Sequence, residues 1–198
     1  MGVKKELTLF FLVFAGVLAF WWFQKDPDLM FPDQRTLEQA EPLPNFTFEN
    51  ILTEEKIDLE DYRGKILLLS FWAAWCQPCL EELPTMVALH RRLRGHDFEI
   101  IAINLDQDPK QVAPPLIREF GMSFPVVIEP EGGHAVGHFE VDALPFNVVV
   151  DHKGRVLETE SQARNWSHPD VIDYFKRLID EKDAAKDEKV GGENPNSA

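Results

Sequence analysis

The stretch that decides the fold reads Ile66-Leu67-Leu68-Leu69-Ser70-Phe71-Trp72-Ala73-Ala74-Trp75-Cys76-Gln77-Pro78-Cys79-Leu80-Glu81-Glu82-Leu83-Pro84. Its opening run, Ile66 to Trp72, is apolar except for Ser70, which is the pattern of a strand buried on both faces. Leu80, Leu83, Val87 and His90 then recur at helical spacing up to about Arg94, where Gly95 is a stop signal. Pro84 lies inside that helix and should kink it. Between strand and helix stand Cys76 and Cys79, with Pro78 at an early helical position where its missing N–H costs nothing.

This placement points to thiol chemistry. Unpaired N–H groups and the dipole at a helix start stabilise a thiolate, so Cys76 is expected to be the nucleophile. Cys79, one turn deeper, is the expected resolving thiol: Cys76 attacks a partner disulfide, a mixed disulfide forms, and Cys79 displaces the reduced partner. These are the only two cysteines, which excludes a structural disulfide framework. A zinc site would need two further ligands, and only His134 and His138, four apart, offer themselves, if their loop folds back over the cysteines. Two inert core thiols are the remaining possibility; Trp75 and Pro78 bracketing the pair at a strand-to-helix junction argue against it.

Short alternating segments at Phe46-Thr47-Phe48 and Ile57-Asp58-Leu59 suggest a hairpin before the central strand. After the cysteine helix come an apolar strand from Phe98 to Asn104, a helix from Pro109 to Phe120 closed by Gly121, and a short strand from Phe124 to Ile128. Residues Glu129 to Val141 form a Gly- and His-containing connection of ambiguous structure. A hairpin, Asn147 to Asp151 and Val156 to Glu160, turns around His152-Lys153-Gly154, and an amphipathic helix from Pro169 to Glu181 closes the fold. The alternation predicts an α/β fold with a central mixed sheet covered on both faces. From Lys182 to Ala198 the chain is polar and is read as a disordered tail.

At the other end, Lys4 and Lys5 precede an apolar stretch from Leu7 to Phe23 that ends in Trp21-Trp22-Phe23, aromatic residues of the kind found at membrane interfaces. Residues 1–23 are therefore expected to be a retained single-pass anchor with a cytoplasmic N-terminus, with a cleaved signal peptide as the competing reading. Residues 24–44, with Pro27, Pro32, Pro42 and Pro44, read as a linker lifting a domain of residues 45–181 off the membrane. A formal charge of -14 over 198 residues, without a Lys/Arg cluster, argues against a nucleic-acid partner.

The motif core Gly64-Lys65, Phe71-Trp72-Ala73-Ala74-Trp75-Cys76-Gln77-Pro78-Cys79 and Glu82-Leu83-Pro84 resembles the thioredoxin superfamily, and more closely its membrane-anchored TlpA/ResA-like branch. Phe124-Pro125-Val126-Val127, Ala143-Leu144-Pro145 and Gly154 extend the resemblance, which runs from about Pro44 to Glu181. It implies a thioredoxin-like fold with an N-terminal β-hairpin extension. It also implies a cis Pro145 facing the cysteines, with Leu144 offering backbone groups to a bound substrate strand and Trp75 and Pro78 contributing to the substrate surface.

Thioredoxin itself keeps a buried aspartate six residues before its first active cysteine, where Ser70 stands here; ResA-like proteins carry a glutamate six residues after it, which is Glu82. Glu82 would lie one turn beyond Cys79 and accept its proton, unless, like its neighbour Glu81, it is a solvated helix charge.

The function implied is disulfide reduction in exported proteins, serving cytochrome c maturation or copper-site cysteines. A membrane thiol-disulfide carrier of the DsbD/CcdA type would be the electron donor, with no cofactor beyond the Cys76–Cys79 pair and no metal. The domain would face the periplasm or extracytoplasmic space from the inner membrane. An oxidant of the DsbA type would need a helical insertion for which the chain has no room. A copper chaperone would use Cys76, Cys79 and a histidine such as His138 to hold Cu(I). A peroxiredoxin-like peroxidase would want a proline and a hydroxyl residue where Leu69 and Ala73 stand. Trp72 is read equally as active-site surface or as core, and Asn104-Leu105-Asp106-Gln107-Asp108 resembles only the opening of a calcium loop.

Overall fold

The computed structural model describes residues 42–191, with side chains to residue 183. The expected anchor, most of the expected linker and the last seven residues lie outside the described residues. Among the described residues, no helix is long and apolar enough to cross a membrane.

Seven strands form one mixed sheet in the order β2-β1-β5-β4-β3-β6-β7. At its centre is β3 (Ile66–Trp72), all seven residues of which are buried, in keeping with a run that is apolar but for Ser70. It pairs in parallel with β4 (Phe98–Asn104), from Ile66 opposite Phe98 to Trp72 opposite Asn104, and antiparallel with β6 (Phe146–Val150). The hairpin of β1 (Thr47–Asn50) and β2 (Lys56–Asp58) joins the sheet through β5 (Val126–Ile128), which runs parallel to β4; β7 (Val156–Glu160) closes the other edge against β6.

Strand alternation sorts the core into two layers. Leu67, Leu69 and Phe71 point with Ile101, Ile103, Val148 and Val150 into a cluster completed by Leu43, Phe46, Leu59 and Ala135. This side carries only a 3-10 turn (Leu59–Tyr62) and the single-turn α3 (Ala135–His138), whose first N–H groups are taken by the Glu129 carboxylate. The opposite side, with Ile66, Leu68, Ser70 and Trp72, receives the long helices α1 (Gln77–Arg92) and α4 (Pro169–Gly191), as the Phe98–Phe175 ring contact at 5.0 Å and the Asn147–Glu82 hydrogen bond mark. Helix α2 (Pro109–Phe120) lies beside α1 and ends at Gly121, whose φ of 66° is the left-handed cap the sequence called for. Both faces are thus covered, but unequally.

Two boundaries differ from expectation. Leu43 belongs to the fold: it is buried, and its N–H donates to Gly154 O at 2.8 Å. A single apolar residue between two prolines carries no periodicity, so it read as linker. Helix α4 continues ten residues beyond Glu181 into the segment expected to be a disordered tail. Ala184, Ala185, Lys186 and Glu188 are strong helix formers, and the buried Lys182 side chain pairs with Asp97 across the first part of the extension.

The turn between β6 and β7 shows why one glycine is required. Gly154 has φ 83°, and Arg63 lies across it, its Nη1 donating to Lys153 O (2.7 Å) and its Nη2 to Leu43 O (2.9 Å). A Cβ on residue 154 would fall 1.2 Å from Arg63 Nη1. Gly154→Ala is therefore expected to cost about 2–4 kcal/mol, combining left-handed strain with the loss of charged hydrogen bonds. Urea unfolding checks this, and an unmoved midpoint would refute it.

Candidate active site

Helix α1 begins immediately after the loop that leaves β3, and Cys76 is its N-cap residue. Cys76 and Cys79 form a disulfide with an S–S distance of 2.07 Å, and the Cys79 N–H donates to Cys76 Sγ at 3.3 Å. One of the unpaired donors of the helix start is thus aimed at the first sulfur, the arrangement that stabilises negative charge there after reduction. Cys76 is 5% exposed and Cys79 2%. Around them the surface is open: Trp75 is 71% exposed, and Gln77 and Pro78 are exposed as well. An indole left in water beside a disulfide offers a partner a large apolar contact.

The Leu144–Pro145 peptide is cis. Pro145 is buried and immediately precedes β6, one step beyond the Phe71–Phe146 pair, so it stands at the end of the sheet from which the cysteine loop departs. Leu144 is half-buried against the Phe71 side of the core. Trp72, by contrast, is a core residue: it is buried, and among the described residues its indole Nε1 has no hydrogen-bond partner.

Glu82 lies one turn beyond Cys79 and is 3% exposed, whereas Glu81 is exposed and accepts from the Gln77 amide. The Glu82 carboxylate is the hub of a buried polar cluster. Its Oε1 accepts from the Trp166 indole N–H, from Asn147 Nδ2 at 3.1 Å and from the Arg164 backbone N–H at 3.2 Å. Burial pushes its carboxyl up to about 7; those three hydrogen bonds pull the other way, and Glu160 adds to the rise. A buried carboxyl that exchanges its proton near neutrality is suited to general acid–base work.

The segment after β7 supplies two of the three donors to this carboxylate. Trp166 N–H donates to Thr85 Oγ1, and the Arg164 guanidinium lies 5.3 Å from the Trp166 ring while pairing with Glu158. Asn147, Arg164 and Trp166 were not found by sequence reasoning. Asn147 left a signal, a polar residue opening the run Asn147-Val148-Val149-Val150 in a buried strand and opposite Ser70 in register. Arg164 and Trp166 left none, because their approach to Glu82 is a matter of long-range packing.

The structure does not bring the histidines of the zinc and copper readings to the cysteines. His138 packs edge-on against Phe46 (5.3 Å) and Phe139 (5.1 Å), and with His134 it lines a groove of about 400 Å³ beside β1. Among the described residues no three His, Cys, Asp or Glu side chains converge as a metal site. Leu69 and Ala73, at the positions a peroxidase would use, are fully buried.

Residues 40–159 match the model of the AhpC/TSA family. The chain is 32% identical to the thiol-disulfide oxidoreductase ResA of Bacillus thuringiensis (strain Al Hakam) over 160 residues, covering 79% of this chain and 88% of that protein. Its fold is similar to that of a secreted thiol-disulfide isomerase from Corynebacterium glutamicum, with a TM-score of 0.66 and 22% identity over 76% of this chain and 90% of the other. It is also similar to a putative thiol:disulfide interchange protein DsbE from Chlorobium tepidum, with a TM-score of 0.59 and 24% identity over 74% of this chain and 98% of the other.

Proposed function

This chain belongs to the AhpC/TSA family and, within it, to the ResA-like thiol-disulfide oxidoreductases, and from that premise we propose that it reduces disulfides in exported proteins through Cys76 and Cys79. The observation that carries this reading is the dithiol site itself: a disulfide at a helix start, beneath an exposed Trp75, with a buried carboxyl of raised pKa one turn further on.

In the reduced protein, the Cys76 thiolate attacks one sulfur of a client disulfide, and the other client sulfur leaves as a thiolate that takes up a proton. Cys79 then gives its proton to Glu82 and attacks Cys76 Sγ, releasing the second client thiolate. Two electrons pass to the client, and the Cys76–Cys79 bond closes, giving the oxidised form described here. Leu144 offers backbone groups to the client strand, Pro145 shapes the surface beside it, and Trp75 and Pro78 line the approach.

On this reading the N-terminal stretch Leu7 to Phe23 holds the domain on the outer side of the cytoplasmic membrane, where a membrane carrier of the DsbD/CcdA type returns the electrons. The clients are proteins whose cysteines must be free to take haem or copper. Direction of flow is tested by equilibrating the protein with glutathione. A potential close to about -270 mV, as in thioredoxin, is expected, and one close to about -120 mV, as in a strong oxidant, would overturn the reductase assignment.

A further inference from the structure

The segment Asn104-Leu105-Asp106, at the end of β4, is tied to the cysteine loop by side-chain as well as backbone bonds. Trp72 and Asn104 are the last paired residues of β3 and β4, and one more ladder bond follows, from Leu105 N–H to Trp72 O at 2.8 Å. Beyond it the strands part, and the Ala74 N–H, two residues before Cys76, has no strand to bond to. Asp106 Oδ2 accepts it at 2.8 Å. That carboxylate is itself fixed: Asn104 Nδ2 donates to the same oxygen at 2.8 Å, while the Asp106 N–H donates to Asn104 Oδ1 at 3.1 Å. Asn104 is buried and spends both ends of its amide on Asp106. The arrangement is a closed ring that aims one charged acceptor at one backbone amide, and bonds of this charge-assisted kind are the stronger ones.

We propose that Asp106, held by Asn104, is a positioning residue that latches the Ala74 amide and so keeps the Cys76 thiol at the α1 N-terminus when the disulfide is open. The proposal rests on the reading of Cys76 as the attacking thiol. In the oxidised protein the covalent bond to Cys79 ties Cys76 in place, at a Cα–Cα distance of 5.3 Å, and the latch is redundant. Reduction removes that tie. Cys76 is then held by the turn bond from its N–H to Ala73 O (3.1 Å) and by Leu80 N–H donating to its carbonyl (3.2 Å), while the preceding residues of the loop are held by the Asp106 latch. Asp106 acts through the backbone and touches no reacting atom, so its effect belongs to the reduced state: a Cys76 that wanders from the helix start loses the Cys79 N–H and, with it, thiolate stabilisation.

The test uses the full chain in its reduced form, with the rate of Cys76 alkylation by iodoacetamide at pH 7 and the glutathione equilibrium as readouts, and urea unfolding of the oxidised form alongside. Asp106→Ala is expected to slow alkylation about tenfold, the worth of one hydrogen bond to a charged group, and to shift the potential to a more negative value because the reduced state is the one destabilised. Asp106→Asn keeps an acceptor for Ala74 but not its charge, and is expected to fall between the parent and the Ala variant. Gln107→Ala, on the exposed neighbour, changes nothing.

Undiminished alkylation in a folded Asp106→Ala variant would overturn the latch, and so would an Asn variant as slow as the Ala variant, since charge rather than hydrogen bonding would then be responsible. Should the Ala variant fail to fold, Asn104→Ser decides: slower alkylation supports the latch, and an unchanged rate refutes it. A Cys76→Ser protein that still exchanged disulfides would instead remove the underlying reading, so the two failures are distinct.

Discussion

Cys79→Ala is expected to accumulate mixed disulfides between Cys76 and its clients, whereas Cys76→Ala loses disulfide exchange completely and traps nothing. The asymmetry follows from position. Cys76 is the N-cap residue of α1, the more exposed of the two, and the one whose sulfur receives a helix-start N–H. Cys79 is inside the first turn and is the one followed, a turn later, by Glu82. With Cys79 removed, attack on a client proceeds and resolution does not, so the covalent intermediate persists until external thiol cleaves it. Non-reducing electrophoresis followed by mass spectrometry of the attached proteins identifies the clients. If Cys76→Ala trapped clients and Cys79→Ala did not, the assignment of nucleophile and resolving thiol would be reversed. If neither did, the exchange mechanism itself would fall.

The second large effect belongs to Glu82. Its carboxyl has a pKa of about 7 in the folded chain against 4.5 as the reference value, so between those two pH values the folded state binds more protons than the unfolded state. Stability therefore falls as pH rises from about 4.5 to about 7 and levels off above, by about 3 kcal/mol for a shift of this size. This is the reverse of the usual salt-bridged carboxylate. Glu82→Gln removes the burial of a charge, keeps a carbonyl acceptor for Trp166 and Arg164, and supplies an N–H to Asn147 Oδ1, which has no partner among the described residues.

The oxidised Gln variant is thus expected to be more stable than the parent at pH 8, with little difference at pH 4. The same substitution should slow resolution by Cys79 by about a hundredfold at neutral pH, because the proton acceptor is gone. Urea unfolding at the two pH values and the decay of the mixed disulfide measure the two effects separately. A variant with parental pH dependence and parental resolution would show that Glu82 is neither titrating in this range nor receiving the Cys79 proton.

Much of the fold was legible because its cues are local. A seven-residue run that is apolar but for Ser70 fits a strand buried on both faces, and β3 has that form; Gly121 marks the end of α2, and the cysteine pair marks a strand-to-helix junction. Weaker cues leave two features unmarked. Leu43, alone among prolines, is a core residue, and α4 runs on through a polar segment whose helix-forming residues looked like a solvated tail.

For the site, Cys76, Cys79 and Glu82 could be marked as candidates from one short motif, since their separations within one helix fix which share a face. What Glu82 does there was not open to that reasoning. A glutamate on a helix is a solvated charge or a buried acid according to what covers it, and its cover comes from Asn147 on a strand and from Arg164 and Trp166 more than eighty residues away in the chain. Asp106 is the same case: five residues that resembled part of a calcium loop acquire a role only because β4 ends beside the loop that carries Cys76. Which atoms can react, and in what local frame, follows from neighbours along the chain. Their protonation and their support follow from the fold, because desolvation and hydrogen bonding depend on neighbours that are close in space and distant along the chain.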